Sequence, residues 1–382
     1  MTVVGHSGLM ASDLPAELRV CPHLRETTKG PAVSRVRTPA GDEAWLVSGY
    51  TQVRDLLRDD RLGRSHTRPG QRALYAGDPT YDQIMDSDHA RADAMHSGMR
   101  NLIKPQFTTR RMLALQPRVR RRVAEGVDAL LAQGPPADLR TAFSEPLVWR
   151  VLCDAFGVPE AETEECALLM RRAAGGDLAG LSTYLRRLIM VKRFRPDDSV
   201  VSRLCHTDTP EEQVVQAVML QQFAGVGAIS KQIAYGVMLL AEQPEQREAL
   251  AAHPEKLPSA VEEILRLSGS LSLPRYARAD IEIGGVTIGA GDLVLLDLTL
   301  ANYDEAYFDE PTDFDISRSP NRHLTLSHGV WTCLGAPLAR LLLCEVFAAL
   351  PARLPDLRPA GPVDRRSGPL TGGLPDGLLF IW

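Results

Sequence analysis

The chain has 382 residues, of which 44% are hydrophobic and 24% charged, with a formal net charge of −5. These are ordinary globular values, and the mild acidity argues against nucleic acid or an anionic membrane surface as a partner. Six scattered cysteines (21, 153, 166, 205, 333 and 344) without a C-x-x-C pair argue against a disulfide framework and fit a reducing compartment.

In chain order, 44–47 reads as a short strand, followed by a helix from Thr51. Residues 67–93, rich in Gly, Pro, Asp and Tyr, predict a long loop. A helical pattern runs over 98–131 and carries the basic run Arg118, Arg120, Arg121 and Arg122. Further helices are predicted over 147–156, 162–174 and 181–193, then a long one over 210–242 whose apolar residues on most faces predict burial. Another covers 257–267, followed by strands at 281–283, 286–288 and 293–296 with Gly-rich turns between them. The last helix is 337–350, and the Gly/Pro-rich segment to Trp382 is expected to form a terminal hairpin. With no repeat or separating linker, this is a mostly α protein with a small β part, its strands gathered late, in one domain over 1–382. Residues 1–19 lack a basic stretch followed by an apolar core, and no apolar run reaches membrane-spanning length, so a cytoplasmic location is expected.

Cys333 stands out because a Gly-punctuated loop, Leu326-Ser327-His328-Gly329-Val330-Trp331-Thr332-Cys333-Leu334-Gly335, delivers it to the start of an apolar helix. Pro337 suits the first turn of that helix, and unpaired N–H groups there favour a thiolate. A single thiolate without a second Cys or His at zinc spacing does not suit zinc, but it suits an iron that needs one protein ligand. The plainer reading of a lone cysteine is a buried structural thiol.

The loop resembles that of the cytochrome P450 family, in which Gly329, Cys333 and Gly335 match the ligand pattern and Ala336-Pro337-Leu338-Ala339-Arg340 follows. Leu326, Ser327 and Trp331 depart from it. The resemblance extends over nearly the whole chain and implies the P450 fold, a triangular prism of helices around haem b with Cys333 as axial thiolate. Glu263 and Arg266, three apart on one helical face, match the family's structural E-x-x-R pair, which read alone would be a solvated ion pair. His96, Arg100 and Arg275 match its propionate contacts, since two buried carboxylates demand cations or donors. Trp331 stands where His or Arg is usual, and its indole donates one bond without a charge.

Ala224 and Gly225 match the small residues that let the long helix approach a flat ring. Gly227 and Ala228 replace the family's acid–alcohol pair, so protons would come from water, from the substrate or from Ser230. Ser230 lies three residues past Gly227 and is expected to share its face; the alternative is a bond back to its own helix. The stretch Phe223–Ser230 further resembles members that oxidise cyclodipeptides. That implies oxidative coupling or ring formation on an aromatic cyclodipeptide-like natural product. The alternatives are conventional hydroxylation or epoxidation of a secondary metabolite, or a non-catalytic haem-fold binding protein.

By resemblance, substrate contacts come from 65–85, with His66, Tyr75 and Tyr81 as candidates, from 222–230, from 271–273 and from 370–373. Electrons would come from NAD(P)H through a reductase and a ferredoxin. The basic run 118–122 is either a docking patch for that ferredoxin or a solvated face. A monomer acting on a small molecule is expected, with no nucleic-acid or membrane partner.

Overall fold

A computed structural model of the chain describes residues 30–38, 40–75, 89–174, 176–269, 272–361 and 377–382. The first half holds β1 (Val33–Arg37), β2 (Glu43–Val47), α1 (Tyr50–Leu56), β3 (Leu62–Gly63), α2 (His89–Ile103), α3 (Thr109–Leu113), α4 (Gln116–Gln133), β4 (Ala137–Asp138), α5 (Glu145–Phe156), α6 (Thr163–Ala174) and α7 (Leu178–Phe194). There follow α8 (Val200–Cys205), α9 (Glu211–Glu242), α10 (Pro244–Ala252), α11 (Leu257–Leu267), β5 (Ser272–Ala277), β6 (Ile281–Ile283), β7 (Val286–Ile288) and β8 (Leu293–Asp297). Last come α12 (Leu298–Asn302), α13 (Ala336–Arg353), β9 (Arg358–Pro359) and β10 (Leu379–Ile381). Helices dominate, as the periodicity predicts.

Contacts divide the chain into two interleaved units: residues 1–98, 262–333 and 362–376 in one, and 99–261, 334–361 and 377–382 in the other. The first is built on a sheet of order β1-β2-β8-β5-β3. β8 is buried at every position and joins the early strand β2 in parallel, Trp45 beside Val294, and β5 antiparallel, Arg275 beside Val294. Strand alternation splits its side chains between two cores. Val294 and Leu296 pack with Trp45, Val47, Val53 and Leu56, while Leu293 and Leu295 pack with Ala44 and Tyr276.

The second unit centres on α9, which packs against α5, α7 and α13, with α4 also on α13. β4, β10 and β9 add a three-stranded sheet at its edge, and Phe380 of β10 is buried. β9 and β10 therefore pair with each other as the hairpin expectation has it, and β10 also pairs with β4.

Several boundaries differ from expectation for identifiable reasons. The single helical pattern over 98–131 is three helices. Pro105 sits in a 3-10 turn at Lys104–Gln106, Thr108 is extended, and Pro117 opens α4. The loop expected over 67–93 gives way to helix at His89; residues 76–88 of it lie outside the described residues. Strands are not confined to the late sequence, because β1, β2 and β3 share the main sheet.

β5 was hidden by Pro274, which cannot donate to a ladder. It is tolerated because the two-residue β3 pairs only with Tyr276 and Ala277 on that side. α9 is, against expectation, long and apolar enough to cross a membrane, yet 75% of that stretch is buried inside the protein, as befits a core helix.

Candidate active site

The loop that carries Cys333 is closed by its own backbone. Ser327 N–H donates to Leu324 C=O at 2.7 Å, Cys333 N–H donates to Leu326 C=O at 2.8 Å, and the Thr332 hydroxyl donates to Gly329 C=O at 2.8 Å. Gly329 has φ +61°, and a Cβ there would meet Leu57 C=O at 2.9 Å, so only glycine fits. Ser327, where the resembled family has glycine, also has a left-handed φ of +60°, and its Oγ is buried with no hydrogen-bond partner among the described residues. Burial, then the charges of Arg58 and Arg54, push the His328 imidazole below its usual range. Cys333 is exposed, whereas Cys153, Cys166 and Cys205 are buried and Cys344 is half-buried. The buried-structural-thiol reading of Cys333 therefore fails.

Trp331 organises the rest of this unit's site. The Arg275 guanidinium lies 4.1 Å from its ring centroid, that of Arg64 lies at 5.1 Å, and the His96 ring tilts against it at 4.2 Å. Arg275 is only 4% exposed and donates to Pro274 C=O at 2.7 Å. The indole that brings no charge thus gathers two cations and an imidazole onto its surface. Arg64 was not legible in the sequence, since nothing local links it to a tryptophan 267 residues onward.

Two guanidinium groups and an imidazole gathered on one ring form a cluster of donors suited to carboxylates. A haem edge with two carboxylates fits that donor set. The exposed Cys333 thiol is a donor of the kind that suits an iron needing one protein ligand.

The E-x-x-R pair is no solvated ion pair. Both residues are fully buried, with Arg266 Nε and Nη2 donating to Glu263 at 2.8 and 2.7 Å. The remaining Arg266 donors reach the carbonyls of Asn302, Pro311 and Asp313. Glu263 also accepts from Arg318, Asn321 and the Asp315 N–H. This network ties α11 to the chain between α12 and the Cys333 loop.

Arg100 stands one turn after His96 on α2 and is half-buried. In the second unit, α9 turns Gly227 and Ala228 outward, and a Cβ on Gly227 would meet nothing within 4 Å. Gly225 is half-buried; Ala224 lies within the helix, and its side chain, with those of Gln222 and Phe223, is outside the described residues. Ser230 is 2% exposed, and its Oγ has no hydrogen-bond partner among the described residues. It neither bonds back to α9 nor shares the open face of Gly227. Three residues along a helix fall about 60° short of a full turn, enough of an offset to carry it from the rim into the core.

Of the expected substrate contacts, His66 is buried, its ring edge-on to Tyr276 at 5.3 Å, and Tyr75 packs partly buried against the β5–β8 face. Tyr81, Leu271 and 370–373 lie outside the described residues. The basic run on α4 is largely committed internally. Arg120 pairs with Glu345, Arg121 with Glu125, and the buried Arg122 with Asp154, Glu160 and Glu125.

The family model described as Cytochrome P450 matches residues 202–352. Pentalenolactone synthase of Streptomyces exfoliatus is 37% identical over 368 residues, covering 92% of each chain. Mycinamicin IV hydroxylase/epoxidase of Micromonospora griseorubida is 37% identical over 85% of this chain and 86% of its own. Among solved structures, substrate-free cytochrome P450 PimD, a polyene macrolide antibiotic pimaricin epoxidase, superposes with a TM-score of 0.85 at 40% identity, covering 95% of this chain and 96% of that one.

Proposed function

The chain belongs to the cytochrome P450 family, and on that premise we propose that it hydroxylates or epoxidises a secondary metabolite. It is a P450 monooxygenase, and as such it works with haem on a cysteine thiolate and with electrons from NAD(P)H passed through a reductase and ferredoxin. The observation that carries the reaction class is near-full-length similarity to relatives named as hydroxylase, epoxidase and synthase of natural products. None of those names mentions a cyclodipeptide or a coupling, so oxygen insertion replaces coupling as the favoured reading.

Haem held by a thiolate supplies oxygen activation, with electron density pushed toward O–O cleavage. The protein's own contribution is assigned as follows. Cys333 would hold the haem iron through its thiolate, on a loop whose backbone bonds fix its place. Arg275, His96 and Arg100 neutralise the propionates, joined by Arg64, with Trp331 fixing the two guanidinium groups by stacking. Ala224 and Gly225 match the small residues that let the family's long helix approach the ring.

Gly227 and Ala228 provide no acid and no alcohol, and the burial of Ser230 argues against it as their substitute. Open space at Gly227 favours a water molecule or a hydroxyl of the substrate itself as proton source. We read residues 1–382 as one such domain, because the chain passes repeatedly between its two units, and we place it in the cytoplasm as a monomer.

The test is turnover with ferredoxin, reductase and NADPH under ¹⁸O₂, on a panel of terpenoid and macrolide substrates and cyclodipeptides. Products carrying one ¹⁸O atom support the reading. Products that only lose two hydrogens, without label, overturn it in favour of coupling.

A further inference from the structure

Away from the residues assigned to the haem site, the second unit contains a cavity of about 720 Å³ between α3, the start of α4, the end of α5 and the segment leading into α8. That volume lies within the range of about 300–1,000 Å³ typical of small-molecule sites. Four arginines line it: Arg110, Arg111, Arg118 and Arg203. None of them makes an ion pair among the described residues, in contrast to Arg120, Arg121 and Arg122 next to them on α4.

The acids on the same wall are mostly engaged. Asp154 accepts two bonds from Arg122, and Asp197 is paired with Lys192. Asp198 meets Arg203 through its main-chain carbonyl and is the one carboxylate of the wall with no ion pair among the described residues. Positive charge is therefore in excess. Arg203 is half-buried, held toward the cavity by Gln106, whose Oε1 accepts from its Nε at 2.7 Å. Burial, then the charge of Arg111, lower the affinity of that guanidinium for its proton, and outweigh the opposing pull of Asp198 and Asp197.

The floor is of a different character. Met112, Leu115, Ala155 and Val200 line the cavity beside the arginines and give it an apolar floor. A flat acidic protein surface would satisfy the rim and leave that floor uncovered. A small molecule with phosphates at one end and an organic body at the other satisfies both. We propose that this cavity is a binding site for an organic phosphate of nucleotide size, its phosphates held by Arg110, Arg111, Arg118 and Arg203 and its body on the apolar floor.

The test is calorimetric titration of the full-length haem-loaded protein with ADP, coenzyme A, inorganic pyrophosphate and adenosine. The expected result is saturable 1:1 binding of ADP or coenzyme A, weaker binding of pyrophosphate, none of adenosine, and weakening by added salt. Arg110→Ala/Arg111→Ala should weaken binding by about 10-fold or more, while Arg121→Ala leaves it unchanged. Both arginines are exposed, so the fold should survive; an unchanged melting temperature and haem spectrum check that, and Arg110→Lys/Arg111→Lys should recover part of the affinity.

Absence of saturable binding at about 10 mM of any organic phosphate would overturn the proposal. So would binding that ignores the double substitution. Pyrophosphate binding as tight as ADP would assign the rim alone and refute the role of the floor. A raised KM for ferredoxin in the double variant, with no phosphate binding, would instead make this a protein-docking surface.

Discussion

Replacing Arg266 by lysine tests whether the buried Glu263–Arg266 network holds this fold. The guanidinium makes five hydrogen bonds, two to Glu263 and three to the carbonyls of Asn302, Pro311 and Asp313. A lysine ammonium keeps the charge but has three donors on a single nitrogen. At least two of the five charge-assisted bonds are then lost, at about 1.5–3 kcal/mol each, so a loss of about 3–6 kcal/mol is expected. Glu263→Gln leaves Arg266 and Arg318 without their carboxylate, at about 3–5 kcal/mol. Either change removes a large fraction of a typical stability of about 5–15 kcal/mol. Urea unfolding followed by far-ultraviolet circular dichroism gives the loss directly as a shift in midpoint at unchanged slope. Arg353→Ala, which breaks the exposed pair with Asp128, serves as control and should cost no more than about 1 kcal/mol. If Arg266→Lys also costs less than about 1 kcal/mol, the pair is behaving as a surface ion pair and the reasoning fails.

Ser327→Gly should stabilise the protein by about 1 kcal/mol, because it removes a left-handed serine and an unpartnered buried hydroxyl. Gly329→Ala should cost about 2–4 kcal/mol through its clash with Leu57 C=O; thermal melts read both. Asp297, fully buried at the start of α12, has its carboxyl pushed up to about 6 by burial, against bonds from Ser272 and the Leu300 N–H. The folded state therefore binds a proton before the unfolded state does. Its contribution, on the order of 3 kcal/mol, is fully present below about pH 4 and is lost as pH rises through about 6. Wild type minus Asp297→Asn should show that difference in unfolding free energy between pH 4 and pH 7, and a flat difference would refute it. Cys333→Ala should abolish the strongly red-shifted Soret band of the reduced carbon monoxide complex while far-ultraviolet dichroism is retained; persistence of the band would remove Cys333 as ligand.

What the residues determined by themselves is what depends on near neighbours in the chain. Pro337 at a helix start, glycines around Cys333, the three-residue spacing of Glu263 and Arg266, and the apolar length of α9 are all local patterns. They place the thiol, the ion pair and the main helix without reference to anything distant. Tertiary structure decided what depends on partners far along the chain. β8 reads as a strand, but its parallel pairing with β2, some 250 residues earlier, cannot be read from either segment. Arg64 and Arg275 meet only on the ring of Trp331, and the basic run on α4 looks free until Glu345 is folded against Arg120. Ser230 shows the limit within a single helix. Spacing puts it close to Gly227, but which side of α9 is covered is set by the helices packed against it. Local geometry is encoded in spacing, whereas burial and charge pairing are properties of surfaces that exist only once the chain has closed on itself.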